Sequence, residues 1–108
     1  MEKLDSIDLT KNITEKWKNF PISNINDHVV RLSVLEQDFH WHKHTKSDEL
    51  FYVIEGELFV DFEDKTEILK EKQMIKVPKN VIHRTRSNVR TTILCFETKD
   101  NDVSGEID

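Results

Sequence analysis

Apolar and polar positions change their spacing once along the chain. Near the start, Leu9, Ile13 and Trp17 recur at helical intervals. With Asp8 as a cap, they predict a short amphipathic helix reaching about Asn19 and packing on the outside of the domain. From Pro21 onward the apolar residues fall into short runs rich in Val, Ile, Phe and Leu, separated by polar turns, which is strand behaviour. Ile22 to Ile25 and His28 to Leu35 flank Asn26-Asp27, a pair suited to a tight hairpin. Leu50 to Ile54 and Leu58 to Phe62 flank Glu55-Gly56-Glu57, where glycine can supply the left-handed residue of a second hairpin. Ile68 to Leu69, Met74 to Val77, Val81 to Thr85 and Thr91 to Glu97 complete the series. The regular cadence predicts an all-β sandwich or barrel over 21–97, preceded by a helical segment over 1–20. The polar, acidic stretch 98–108 is expected to be disordered.

Composition narrows the function classes. A chain of 108 residues fits one domain and has no room for a separate cofactor domain. Its net charge of −5 argues against nucleic acid and anionic membrane surfaces as partners; the basic stretch from Lys76 to Arg90 is a local exception. Cys95 is the only cysteine, which excludes an internal disulfide and a thiolate-rich zinc site. No apolar run approaches the roughly 20 residues that span a bilayer, and Met1-Glu2-Lys3-Leu4-Asp5 carries charge where a signal peptide needs apolar residues. A soluble, cytoplasmic protein is expected. Leu50 to Ile54 is apolar on both faces, so that strand should be covered on both sides, and a homodimer is the expected assembly.

Three of the five histidines fall within His40-Trp41-His42-Lys43-His44, and Glu49 follows. His42 and His44 are two apart, so on a strand both imidazoles share one face and can share one ion. The loop Thr45 to Asp48 lets the next strand begin with Glu49 turned back toward them. His83 follows the turn Pro78-Lys79-Asn80, and closing a barrel would bring it to the same point as a fourth ligand. Without a cation or partner, an acid facing a barrel interior beside imidazoles would be costly. The opposing reading is that the pair His42 and His44 is solvated and that His83 bonds a neighbouring strand.

His42-x-His44, four residues, Glu49, six residues and Gly56 resemble the first motif of the cupin family, and Pro78-x-Asn80-x-x-His83 resembles its second. The resemblance spans roughly Val29 to Phe96. It implies a double-stranded β-helix, a conical jelly-roll-like barrel, with His42, His44, Glu49 and His83 around one metal ion. The chain departs from the family pattern at turns. Glu36 and Lys72 stand where the family motifs open with glycine, Asn80 replaces a later glycine, and Ser87 replaces a closing asparagine. Asn80 can hold a left-handed conformation, whereas Glu36 and Lys72 would lose about 1–2 kcal/mol there, so those two turns are expected to be remodelled.

Around this set, Phe51 and Val53 follow Glu49 on the same face and would wall a pocket, with ordinary core as the opposing reading. Trp41 and Tyr52 point the other way, suiting a second layer or a subunit contact. His40 suits a hydrogen-bonding or solvent-facing role, His28 the surface and Cys95 the core. Arg84 and Arg86 alternate away from His83 and read as solvated charge. Three neutral imidazoles and a carboxylate suit a divalent transition metal such as Fe, Mn, Ni, Co, Cu or Zn, and leave open coordination positions. The expected activity is that of a metal-dependent oxygenase or isomerase acting on a small oxygen-rich molecule. The alternative is a non-catalytic module that binds a small ligand or the metal.

Overall fold

In the computed structural model, which describes residues 1–105, the two-residue periodicity becomes eight antiparallel strands. They are β1 (Trp17–Ile25), β2 (His28–Leu35), β3 (Glu49–Glu55), β4 (Glu57–Phe62), β5 (Thr66–Lys70), β6 (Met74–Val77), β7 (His83–Arg86) and β8 (Thr91–Thr98), after a helix α1 (Ser6–Thr10). One sheet has the order β1-β2-β8-β3-β6 and the other β5-β4-β7. Leu35, Phe51, Val53, Leu58, Val60, Leu69, Val77, Ile93 and Cys95 fill the space between them. Each large aliphatic or aromatic side chain buried there contributes about 1.5–3 kcal/mol. Pro21, which has no N–H to donate, lies on the edge strand β1 next to a register shift, where its loss to the ladder is least.

The Asn26-Asp27 hairpin forms as the pattern predicts: Ile25 faces His28, and Asn26 takes a φ of 54°. The second expected hairpin does not. Gly56 does have a φ of 96°, but β3 and β4 belong to different sheets, so the glycine turns the chain between layers. Both edges of β3 are already taken, by β8 and β6. A Cβ on Gly56 would lie 2.4 Å from Thr91 Oγ1 and 2.8 Å from Thr91 Cα, so the crossing is tight enough to demand glycine.

The N-terminal helix is shorter than predicted. Asp5, rather than Asp8, caps it by accepting from the amides of Ile7 and Asp8 at 2.9 and 3.2 Å. It ends at Thr10, whose hydroxyl bonds back to the Ser6 carbonyl. Trp17 opens β1 instead, opposite Leu35, with its indole stacked on Phe39 at 5.3 Å. Sheet pairing outweighs a helical spacing too short to hold a helix by itself. The Arg90 guanidinium donates to the carbonyls of Ile13 and Glu15, tying down the link between α1 and β1.

Asn80 is left-handed as expected, with a φ of 67°, but so is Lys72, at 71°, where remodelling was predicted. Lys72 N–H donates to the Val53 carbonyl at 2.8 Å, which holds the tight turn despite its cost. Beyond β8, which includes Thr98, residues 99–105 fold back in turns with Asn101 buried. The part of the expected disorder that falls on 106–108 lies outside the described residues.

Candidate metal centre

Two segments far apart in the chain are stitched together by backbone before any side chain matters. His42 N–H donates to the His83 carbonyl at 3.0 Å and His83 N–H to the His42 carbonyl at 2.9 Å. Phe39 N–H donates to Thr85 and Asn80 N–H to His44, so the stretch 38–44 runs alongside β7 as an extra, irregular edge. Asn80 makes its bond from the left-handed turn that leads into His83. Glu49 comes from the first position of β3, in the facing sheet.

His42, His44, Glu49 and His83 are all buried, and each offers one donor atom within 4.8 Å of the others. His44 Nε2 lies 3.1 Å and His83 Nε2 4.0 Å from Glu49 Oε1. The rings of His42 and His83 are 4.4 Å apart, those of His42 and His44 4.9 Å. The sequence singled out these four residues, and the structure brings them together as a group that could hold a metal. Two imidazoles are also oriented for it. His42 Nδ1 donates to the His40 carbonyl at 2.8 Å and His83 Nδ1 to the Val81 carbonyl at 2.9 Å, the tautomer that turns each Nε2 lone pair to the cluster. Among the described residues, the buried side-chain polar atoms without a hydrogen-bond partner are Asn19 Oδ1, both ring nitrogens of His44 and His83 Nε2. Buried polar atoms are nearly always satisfied, so orphans gathered at one point indicate a missing partner, and nitrogen donors with one carboxylate match a divalent transition ion.

The Cupin_2 family, described as a cupin domain, matches residues 28–96. The chain belongs to the cupin family. It is 51% identical over 92 residues to the uncharacterized protein YdbB of Bacillus subtilis (strain 168), covering 84% of this chain and 81% of that one. A solved cupin-2 domain containing protein from Shewanella frigidimarina superposes with a TM-score of 0.84 at 29% identity, over 89% of this chain and 94% of its own. A solved protein from Neisseria meningitidis gives 0.81 at 31% identity, over 91% and 100%.

The electrostatics of the cupin site separate its histidines. Burial pulls His42 down to about 4, aided by the neighbouring His83 and His44, and burial also lowers His83. Both are therefore neutral at pH 7 and ready to ligate. His44 differs: burial opposes its charged form, but Glu49, with Glu97 and Asp102 farther off, outweighs this and raises its pKa. The 3.1 Å contact between His44 Nε2 and Glu49 Oε1 is the pairing through which Glu49 favours the charged imidazole.

Beside the cluster a cavity opens between the sheets. Trp17, Phe39 and Phe51 form its apolar wall, Asn19, Ser33 and Thr85 its polar one, and Val103 of the C-terminal turns closes it. Phe51 thus walls the pocket as predicted, whereas Val53 is core. Cys95 is buried, as expected, and burial pushes its thiol well up. His40 takes the hydrogen-bonding role, accepting His42 Nδ1 on its carbonyl and contacting the Ser104 carbonyl through Nε2 at 2.8 Å. His28 is at the surface beside Asp27.

Three features were missed from the sequence. Glu97, buried on β8, holds Arg31 at 2.9 Å and Asn101 at 2.7 Å; burial, then the charge of Glu49, raises it to about 7. Strand alternation places Glu97 inside, but only the β3–β8 register reveals its nearness to Glu49. Arg84 and Arg86, expected to be solvated, instead grip the buried Asp61, because β7 pairs with β4 in a register that sets them beside it. Asn19 lines the cavity only because Trp17 starts a strand and not the end of a helix.

Proposed function

We propose that this cupin binds one divalent transition metal through His42, His44, Glu49 and His83 and acts as a metal-dependent enzyme on a small oxygen-rich molecule, of the oxygenase or isomerase class. The observation that carries the reading is the convergence of four buried donors within 4.8 Å, two of them imidazoles whose Nδ1 atoms are already committed to backbone carbonyls. When bound, such an ion supplies Lewis-acid polarisation of a substrate oxygen or, with a redox-active metal, one-electron chemistry. The chain itself contributes the rest. Phe39 and Phe51 exclude water, and His42 and Glu49, at the edge of the cavity, set the side from which a ligand approaches.

A second reading, that the site binds a small ligand or the metal without turnover, is favoured by one feature. Apart from the cluster residues, the cavity wall offers, among the described residues, the weakly acidic or neutral groups of Asn19, Ser33, Thr85 and Cys95 and no separate acid or base. Metal analysis of protein purified without a histidine tag should give close to one ion per chain, and His42→Ala or Glu49→Ala should abolish it; full occupancy in both variants would refute the ligand set. Oxygen consumption by iron-loaded protein, screened against diols, thiols and keto acids, then separates an oxygenase from a binder.

No helix among the described residues is long and apolar enough to cross a membrane. We further propose a cytoplasmic homodimer without nucleic-acid or membrane partners, supported by the acidic net charge and by Leu50, Tyr52 and Ile54, which remain half-buried on the outer face of β3. A monomer in light scattering would contradict the assembly.

A further inference from the structure

We infer that residues 99–105 form a lid over the four-residue cluster, latched by Asn101 on Glu97, and that solutes reach the cluster when this lid lifts. The inference deepens the proposed function and rests on it for the solute that matters, a metal ion or its ligand; the shielding itself needs no metal. It begins with burial. His42, His44, Glu49 and His83 are each exposed by 6% or less, so part of the wall around them must move before a solute can touch them.

The C-terminal turns meet the cluster in two places. Val103 lines the cavity together with His42 and Glu49. Asn101, Asp102 and Gly105 line a second recess together with Lys43 and His44. Gly105 lies directly on the His42 ring. A Cβ there would overlap Cδ2, the ring carbon bonded to Nε2, and would come within 2.9 Å of the Lys43 carbonyl oxygen. The φ of 69° at Gly105 favours glycine as well. Backbone therefore covers the edge of His42 that carries its uncommitted nitrogen.

The fastening of the walls decides which of them yields. On one side the stretch 38–44 and the turn before β7 are stitched by paired backbone bonds, and on the other Glu49 opens a strand held at both edges by β6 and β8. Residues 99–105 bond locally instead. Asn101 N–H donates to the Thr98 carbonyl, Ser104 N–H to the Asp102 carboxylate and Gly105 N–H to the Asp102 carbonyl. Lys99 N–H, donating to the Asp27 carbonyl, roots the segment. Farther along it is fastened by the Asn101 amide on Glu97 at 2.7 Å and by the Ser104 carbonyl against His40 Nε2 at 2.8 Å. Arg31 in turn fixes Glu97 at 2.9 Å, so the latch closes on a rigid post. Of residues 99–105, Asn101 alone is buried. A segment with so little buried surface opens at a small fraction of the free energy of global unfolding, well before the strands part.

Diethyl pyrocarbonate, which a neutral imidazole nitrogen attacks, reads the shielding in the metal-free full-length protein at pH 7, with the modified histidines resolved by peptide mass spectrometry. In the parent protein His42 should react at least about tenfold more slowly than His28 at the surface. Asn101→Ala removes the latch, and Gly105→Val places a side chain where the His42 ring lies. Each should speed the modification of His42 by about 3–10-fold, as the loss of one hydrogen bond warrants, and leave His28 unchanged. Amide exchange should rise over 99–105 and hold over β3 and β8, which separates a lifted lid from a loosened barrel. Zinc ions should then associate and dissociate faster by the same factor in both variants, leaving Kd within a few-fold. Should one variant fail to fold, the other decides. His42 as reactive as His28 in the parent protein, no acceleration in a folded variant, exchange that rises equally in β3 and β8, or zinc rates unchanged where His42 has become reactive would each overturn the inference. Protein that binds no zinc at all would count against the metal reading, while the reactivity of His42 would still decide the lid.

Discussion

Strand β7 is four residues long and serves two clusters of opposite kind on its two faces. Inward, His83 joins His42, His44 and Glu49; outward, Arg84 and Arg86 close on Asp61. Both clusters gather buried or half-buried ionisable groups from two segments of chain. The outer one is complete. Asp61 accepts from Arg84 Nε at 2.9 Å, from Arg86 Nε at 2.7 Å and Nη2 at 3.2 Å, and from the Thr66 hydroxyl at 2.6 Å. The two guanidinium groups also lie over the rings of Trp41 and Phe59. The inner cluster leaves three imidazole nitrogens buried and unbonded. Satisfied polar groups hold a fold together, whereas orphaned ones of matched chemistry await a further partner.

The contrast is sharpest when one residue is removed from each side. His83→Ala should lower metal affinity by more than about 100-fold, since a direct ligand outweighs the outer-sphere partners whose loss costs 10–100-fold. It should also abolish the stabilisation that metal confers on the parent protein, about 2.7 kcal/mol at a hundredfold excess over Kd. Isothermal titration and thermal unfolding with and without added metal read both effects. Unchanged affinity would remove the distinction between the two faces.

Asp61→Asn should do the reverse. Metal affinity should hold within a few-fold, while stability falls by about 2 kcal/mol, because charge-assisted bonds to both arginines are weakened and the buried amide cannot replace them. The arginines keep partial access to water, which places the loss below that of a fully buried pair. For a chain of this size the drop corresponds to roughly 8–15 °C in Tm, measurable by circular dichroism. An unaffected Tm would mean that the outer cluster is surface charge after all.

The inner cluster was legible in the sequence and the outer one was not, for a physical reason. His42, His44 and Glu49 lie close in the chain, and strand alternation alone sets the two imidazoles on one side. Arg84 and Arg86 are equally legible as outward-facing, but their partner Asp61 comes from β4, and nothing local reveals that β4 lies next to β7. Glu97 and Asn19 were hidden in the same way, since the neighbour that gives each its meaning is set by sheet register. Trp17 failed differently: its spacing from Leu9 and Ile13 fits a helix turn by turn, and only pairing with Leu35 claims it for a strand. Gly56 was read correctly as a left-handed residue and wrongly as a hairpin, because backbone conformation does not say which sheet the chain enters next.

Proton competition separates the two faces most finely. On the inner face a metal must displace whatever protons its ligands hold. His42, drawn down to about 4, and His83, also lowered, hold almost none near neutrality, so the competing proton is that of His44, whose pKa is raised. As pH falls from 7 toward 5.5, the loss of affinity should steepen to at most about tenfold per pH unit, the limit set by one competing proton, and not reach the larger factor expected of three ordinary histidines. On the outer face, Arg86 and its companions hold Asp61 well below the usual carboxylate range. A depressed carboxylate contributes stability above its unfolded pKa and loses it only as pH falls through the folded one, so the Tm deficit of Asp61→Asn should stay constant from pH 5 to 8. Metal titrations and melts across this range test both halves. A slope of two or three protons would show that burial does not keep His42 and His83 neutral, and a deficit that varied with pH would show that Asp61 is not held charged throughout.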